Sequence, residues 1–223
     1  MGKSNLFIQI YEILYKALGP RHWWPGDGPL EVSVGAILTQ NTAWKNVEKA
    51  IQNLKENNLL SIPALHVIEE EELSRLIRSS GYYNQKARKL KAFIKVVAEE
   101  FDGSFTSMKT LGLTSLRNKL LRIHGIGEET ADSIILYALE MPSFVVDAYT
   151  QRIFSRHDLI GKNWTYGRIK EEFERSLPSD VKLFNEYHAL IVRAGHLFCR
   201  KDPAKTHCED CPLHFHLGDP VEL

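Results

Sequence analysis

The sequence predicts an all-α protein, and three observations support that prediction. Apolar residues recur at spacings of three and four along most of the chain, alternation typical of strands is scarce, and glycine or proline separates the periodic stretches. The first stripe consists of Leu6, Ile10, Ile13, Leu14 and Ala17. Later stripes cover about residues 30–40, 43–55, 90–97, 115–123, 129–140, 166–177 and 183–198. The separators are Gly19-Pro20, the segment from Pro25 to Pro29, Gly81, Gly125 with Gly127, Pro142, Gly161, Pro178 and Pro203.

Length and composition place the chain among globular proteins. It has 223 residues, of which 43% are apolar and 25% are charged, so it can bury a substantial core. No apolar run approaches the roughly 20 residues that a membrane helix needs. The N-terminal stretch is interrupted by Gln9 and Glu12 and lacks the pattern of a signal peptide. We therefore expect a cytoplasmic protein without a membrane segment.

The charges balance overall but are unevenly distributed. Lysine plus arginine and aspartate plus glutamate number 28 each, which by itself argues against a nucleic-acid partner. Yet residues 73–98 hold seven basic residues and no acid, and residues 103–127 hold four basic residues and no acid. Such segregation either builds a basic face that follows phosphates or reflects ordinary solvated helix faces.

Residues 120–135 have the pattern of two helices joined by a tight loop. Gly125 and Gly127 allow a positive φ and a close approach of the backbone to a ligand. The free N–H groups at the start of the second helix suit a phosphate. The alternative is an ordinary turn with glycine caps. With Ile126 between the glycines, the segment resembles a helix-hairpin-helix element, which binds the DNA backbone without sequence preference.

Asp147 follows the apolar run Phe144-Val-Val, twenty residues after Gly127. In isolation an acid at this place is a helix N-cap. The hairpin followed by this motif resembles the endonuclease III superfamily of DNA glycosylases, the helix-hairpin-helix–Gly/Pro–Asp proteins. That resemblance implies that Asp147 is the catalytic carboxylate.

Two further motifs extend the resemblance over about residues 30–211. Leu38-Thr-Gln-Asn-Thr42 is similar to the segment that enters DNA near the flipped nucleotide, which implies that Gln40 is the wedge and Asn41 a lesion contact. Gly81-Tyr-Tyr-Asn-Gln-Lys-Ala87 is similar to the GxYNxKA motif of the superfamily. The contacts to the DNA backbone that these motifs imply come from Asn84, Lys86, Gly125, Ile126 and Gly127.

The resemblance also implies a mechanism. A glycosylase extrudes its target nucleotide and passes through an oxocarbenium-like sugar, which a fixed carboxylate stabilises. Relatives that also cut the strand carry a Schiff-base lysine two residues after the second glycine. Here that position is Glu129, so we expect no lyase activity. The adenine-mismatch branch has a glutamate where this chain has Gly35.

Tryptophans suggest the base that is removed. Trp23, Trp24, Pro25 and Trp44 lie in the first loop and just after the wedge segment. They either form a stacking pocket for the base or pack in the core. Indole faces attract cationic bases, and these motifs resemble the 3-methyladenine branch. We predict a monofunctional glycosylase for alkylated purines; the alternatives are a uracil or thymine mismatch glycosylase and a non-catalytic DNA-binding relative.

Three cysteines fall where the superfamily holds a 4Fe–4S cluster. The superfamily spacing is Cys-x6-Cys-x2-Cys-x5-Cys, whereas this chain has Cys199-x8-Cys208-x2-Cys211 and Leu217 at the fourth position. His216 is the first candidate for the fourth ligand, with His214 and His207 nearby. A cluster held by three thiolates and a non-cysteine ligand, a Cys3His zinc site and a loop without metal all remain open.

The resemblance finally implies two helical domains that flank a DNA cleft. Residues 22–141 would form a helical barrel with wedge and hairpin, and residues 1–21 with 142–223 a terminal domain with Asp147 and the cysteine loop. The implied partner is duplex DNA that contains a damaged base, bound by a monomer.

Overall fold

The computed structural model describes residues 3–217 and is all-helical, with no strand in that part of the chain. The predicted fold class is therefore confirmed. The chain divides into two compact units, Trp24–Met141 and Met1–Trp23 with Pro142–Leu223. The prediction placed the first boundary at residue 22 and the second at 142. Residues 1–2 and 218–223 of the predicted terminal domain lie outside the described residues.

The helices begin where the sequence supplies capping side chains. Ser61, Ser104, Thr165 and Asp180 each accept a hydrogen bond from the backbone N–H three residues later. None of the described helices combines the length and apolarity that crossing a bilayer requires. In chain order the helices are α1 (Lys3–Leu18), α2 (Gly28–Leu38), α3 (Trp44–Glu56), α4 (Ile62–Val67), α5 (Glu70–Leu76), α6 (Tyr83–Phe101), α7 (Phe105–Lys109), α8 (Leu113–Leu121), α9 (Glu128–Ser133), α10 (Ala148–Arg156), α11 (Tyr166–Ser176), α12 (Val181–Leu197) and α13 (His214–Leu217). Short 3-10 turns cover Arg78–Ser80, Pro203–Lys205 and Cys208–Asp210.

Helix α2 forms the centre of the unit Trp24–Met141. Its residues 31–38 are all buried because the sequence there is almost entirely apolar or small. It packs against α3, α6 and α9. Helix α6 buries the stripe that its spacing predicts and exposes Arg88 and Lys95 on the other side, whereas Lys86 is buried. The buried stripe consists of Leu90, Phe93, Ile94 and Val97.

One stretch of this unit departs from the predicted regular helix over 129–140. After α9 the chain makes a π-helical turn at Ile134–Ala138, and the N–H of Leu139 donates to the carbonyl of Ile134 at 3.0 Å. Such turns insert an extra residue into a helix. The turn carries Tyr137, which is 8% exposed.

Aromatic side chains hold the other unit together. Phe144 stacks on Phe173 with ring centroids 4.2 Å apart, and Phe7 of α1 meets Phe173 edge-on at 4.8 Å. The hydroxyl of the buried Tyr187 donates to the carbonyl of Phe7 at 2.8 Å. Since Phe144 begins the run that leads to Asp147, this aromatic core fixes the backbone just before that residue.

Candidate active site

Asp147 lies directly before α10, where the buried run Phe144–Val146 ends. Its Oδ1 accepts the backbone N–H of Thr150 at 2.7 Å and the hydroxyl of Thr150 at 2.9 Å. The side chain is 10% exposed. Asp147 is therefore an N-cap, and the cap also fixes a nearly buried carboxylate.

The other oxygen of Asp147 faces a histidine. Nε2 of His188, a buried residue of α12, lies 3.6 Å from Oδ2. Burial by itself raises the pKa of Asp147, but the neighbouring His188 and the two bonds from Thr150 outweigh burial. They hold the pKa of Asp147 below its ordinary value. The carboxylate is therefore ionised at neutral pH and has one oxygen fixed by the cap.

A polar aromatic pair lies close to Asp147 on the same two helices. The Tyr149 hydroxyl is 3.0 Å from Nε2 of His196. A Cβ on Gly195 would lie 2.2 Å from Cδ1 of Tyr149, so glycine is needed there. Sequence reasoning missed this pair and His188. The available signal was the spacing of His188, Gly195 and His196, which puts them on one side of α12.

The segment Leu38–Thr42 at the end of α2 carries two polar residues in different surroundings. One is exposed, and the other is hydrogen-bonded within the protein. Asn41 is exposed and has a positive φ of 54°. Gln40 is half-buried: its Nε2 donates to the carbonyl of Gly125 at 3.3 Å and to Oγ1 of Thr130 at 3.0 Å, and its Oε1 accepts from Lys89. The predicted wedge residue is thus bound to the hairpin, and Asn41 is the side chain that points to solvent.

The three hairpin positions differ in accessibility. Gly125 has a φ of 79°, and a Cβ there would lie 2.2 Å from Cγ of Lys89. Gly127 is exposed, and its Cβ position has no atom within 4 Å. Ile126 is 4% exposed and its N–H donates to the carbonyl of Ile123. The predicted DNA contact of Ile126 is therefore corrected: its side chain is part of the core and its N–H is already used.

Lys86 also requires a correction. It is 2% exposed, and its ammonium donates to the carbonyls of Leu38 at 2.8 Å and Ser80 at 2.6 Å. Burial, with the charge of Lys89, lowers the pKa of Lys86 to about 8. Lys86 thus ties the end of α2 to the turn before α6 and is not exposed to a phosphate. Asn84 of the same motif is exposed.

Many residues of the two basic runs are engaged within the protein. Arg117 makes a two-point ion pair with the fully buried Asp132, with both N–O distances 2.9 Å, and so joins the two hairpin helices. Lys91 donates to three backbone carbonyls at the end of α4, and Arg88 pairs with Glu70. The exposed basic residues of these runs include Arg75, Arg78, Lys95 and Arg122. Fewer side chains are therefore available to phosphates than the eleven basic residues of the two runs.

Two of the predicted pocket residues lie together. Trp24 meets Trp44 edge-on, with ring centroids 5.2 Å apart, and lies 5.0 Å from Tyr137 of the π-helical turn. A Cβ on Gly35 would lie 3.2 Å from Nε1 of Trp24 and 3.3 Å from Cη2 of Trp44. Both indoles stay half-buried. Trp23 belongs to the other unit, and Pro25 is exposed.

The three cysteines line one cavity of the unit that contains Asp147. Two histidines, His157 and His214, line the same cavity. His216 is exposed and lines a separate groove beside α1, so the prediction of His216 as fourth ligand is corrected. Nδ1 of His157 is buried without a hydrogen-bond partner among the described atoms. Three thiols and imidazole suit iron or zinc, so these residues fit a metal group. The thiols are those of Cys199, Cys208 and Cys211.

Comparisons with known proteins identify the family of this chain. Residues 34–179 match the HhH-GPD superfamily of base excision DNA repair proteins. A protein of Methanocaldococcus jannaschii, provisionally named a DNA repair glycosylase, is 49% identical over 213 residues, which cover 95% of this chain and 96% of that protein. Endonuclease III of Thermotoga maritima is 28% identical over 84% of this chain and 82% of its own length.

Solved structures with the same fold include glycosylases. The 3-methyladenine DNA glycosylase MagIII of H. pylori, bound to 1,N6-ethenoadenine, superposes with a TM-score of 0.74 at 27% identity and covers 88% of this chain and 98% of its own. An endonuclease III–DNA complex gives a TM-score of 0.80 at 20% identity over 97% and 95%. The chain belongs to the HhH-GPD superfamily of base excision DNA repair proteins.

Proposed function

We propose that this protein is a monofunctional DNA glycosylase that removes alkylated purines from duplex DNA. The observation that supports the proposal most directly is the carboxylate of Asp147. It is nearly buried, its pKa is held below the ordinary value, and only one of its oxygens is used by the helix cap. A fixed negative charge of this kind stabilises a developing positive charge.

Base release breaks the bond between C1′ of the deoxyribose and the base nitrogen, and the bonding electron pair leaves with the base. The sugar becomes oxocarbenium-like, and the charge of Asp147 stabilises it. A cationic base that takes this electron pair leaves as a neutral molecule. Water then adds to C1′ and releases a proton to the solvent, which leaves the abasic sugar and the unchanged enzyme. We assign the interaction with C1′ or the water to Oδ2, because Oδ1 already accepts two short hydrogen bonds from Thr150, whereas Nε2 of His188 lies 3.6 Å from Oδ2.

The target nucleotide has to leave the stack before this chemistry. We assign entry into the duplex to Asn41, which is exposed at the end of the wedge segment. The neighbouring Gln40 holds the segment in place through its hydrogen bonds to Gly125 and Thr130. The exposed backbone at Gly127, at the start of α9, is the corresponding contact to a phosphate.

Glu129 accounts for the monofunctional part of the proposal. It is exposed in the first turn of α9, two residues after Gly127. A carboxylate cannot form an imine with C1′, so the strand is not cut through a Schiff base. The remaining reaction is hydrolysis, in which Asp147 and water release the base without cutting the strand.

The aromatic cluster supports the choice of substrate. Trp24 and Trp44 offer half-buried indole faces, which attract cationic bases such as 3-methyladenine. The positive charge of such a base weakens its glycosidic bond, so one carboxylate suffices without a strong general acid. The likeness to MagIII, whose name states 3-methyladenine, supports the same class.

The cysteine cavity completes the proposal. Cys199, Cys208 and Cys211 would hold an iron–sulfur cluster, which supplies structural order to the loop when it is bound. The ordered loop presents the exposed basic residues Arg200, Lys201 and Lys205 to DNA. We expect one protein molecule per lesion and double-stranded DNA as the partner.

A lesion panel tests the substrate class. Single-turnover base release is measured on duplexes with one 7-methylguanine, 1,N6-ethenoadenine, uracil opposite guanine or thymine opposite guanine, and on methylated genomic DNA for 3-methyladenine. We expect release of methylated purines with little release of uracil or thymine. Release of uracil or thymine alone would overturn the substrate class, and binding without any release would overturn catalysis.

Borohydride trapping tests the reaction type. The wild-type protein should give no covalent adduct with lesion duplex, whereas Glu129→Lys places an amine at the position that forms the imine in bifunctional relatives. A trapped adduct with the wild type would contradict hydrolysis as the only chemistry.

A further inference from the structure

A guanidinium lies against one of the three thiols. Nη1 of Arg156 is 3.1 Å from Sγ of Cys199. A donor of this kind tunes a cluster that thiolates hold. Arg156 and the three cysteines therefore line the same cavity, with a donor to sulfur already in place.

The position of His214 distinguishes it from the other histidines of the loop. It follows Cys211 by three residues, and its N–H donates to the carbonyl of Cys211 at 3.0 Å, so both belong to one tight turn. Its side chain lines the same cavity as the three cysteines, with Nδ1 buried. His216 is exposed in another groove, and the side chain of His207 is 58% exposed near Glu209.

The candidate ligands are not in mutual contact. Among the described residues, the groups of three close ligand atoms do not include these cysteines or His214. A 4Fe–4S cluster does not need its protein ligands to touch, because each ligand binds a different iron. The arrangement is therefore compatible with a cluster.

We propose that Cys199, Cys208, Cys211 and His214 are the four ligands of a 4Fe–4S cluster, with the His214 imidazole in place of the missing fourth thiolate. This ligand set rests on the iron–sulfur cluster of the proposed function and adds its fourth ligand; it does not depend on base release. Replacement of thiolate by imidazole raises the reduction potential of an iron–sulfur centre. The cluster of this chain therefore has a higher potential than that of a variant with four cysteines.

Four variants test the proposal: His214→Ala, His214→Cys, His216→Ala and His157→Ala. Each full-length protein is reconstituted anaerobically with ferrous iron and sulfide. Iron and sulfide content, visible absorbance, electron paramagnetic resonance and reduction potential are then measured. Wild type and His216→Ala should share one spectrum and potential. His214→Cys should keep all four irons at a lower potential, and His214→Ala should lose one iron on brief exposure to air.

The outcomes separate the ligands without using base release. The proposal is overturned if His214→Ala keeps four irons with unchanged potential and stability in air, or if His214→Cys has the wild-type potential. Loss of iron in His157→Ala but not in His214→Ala would also overturn it, as would uptake of a single zinc in preference to a cluster. Circular dichroism of each variant checks folding, and His214→Cys keeps the test decisive if His214→Ala is unstable.

Discussion

Asp147 and Glu129 both lie at the start of a helix that follows a short loop, yet their surroundings are opposite. Asp147 is 10% exposed, capped by Thr150 and faced by His188. Glu129 is exposed, in the first turn that follows the open backbone of Gly127. Around Asp147 several polar groups contact a single carboxylate, whereas the hairpin leaves the backbone of Gly127 accessible. Under the proposed function, the first region performs the chemistry and the second contacts DNA.

Asp147→Asn should give the largest effect, because it removes the charge and keeps the cap. Asparagine is as good an N-cap as aspartate, so the fold and DNA binding should persist. Base release should fall by about 10²- to 10⁴-fold, measured under single turnover with binding measured in parallel. Asp180→Asn is the matched control, since Asp180 caps α12 with a 2.7 Å bond and is exposed. Full activity of Asp147→Asn would contradict the catalytic assignment.

A pair of glycine variants should separate folding from DNA contact in the hairpin. Gly125→Ala introduces a Cβ at a positive φ and against Lys89, so it should lower the free energy of unfolding by about 1–3 kcal/mol. Gly127→Ala has open space and should stay within about 0.5 kcal/mol of wild type. Denaturant unfolding checks both values. Gly127→Ala should still weaken DNA binding, and unchanged affinity would show that this backbone does not contact DNA.

His188→Gln should have the smallest effect, and it acts through Asp147. Because His188 helps to hold the pKa of Asp147 down, its removal raises that pKa. The ionised carboxylate is the active form, so the acid limb of the rate–pH profile should move to higher pH. The loss at neutral pH should be smaller than for Asp147→Asn. A uniform loss at every pH would indicate a structural role, and His196→Gln serves as the control from the same face of α12.

The sequence predicts the fold well because the apolar spacing that defines each helix is also what packs it. Lys86 shows the limit of reading motifs alone. It lies four residues before Leu90 and seven before Phe93, on the buried stripe of α6, so the same spacing could have predicted its burial. The resemblance to a DNA-contact motif outweighed that signal.

Contacts between residues far apart in the sequence account for most of the site features that the sequence analysis did not predict. His188 meets Asp147 across 41 residues of sequence, and neither residue carries a local pattern that predicts the other. The choice between His214 and His216 depends on how a short helix is rotated, which sequence distance from Cys211 cannot fix. Asp147 itself could be found because its run, its cap and the preceding hairpin are all local.

The contact between Tyr137 and Trp24 depends on the number of residues in the π-helical turn Ile134–Ala138. Each residue turns an α-helix by about 100°, and the π turn accommodates one residue more than a regular turn. Deleting one residue there would restore a regular helix but turn Tyr137 away from Trp24. A change of chain length at this turn would therefore separate Tyr137 from the indole that it contacts.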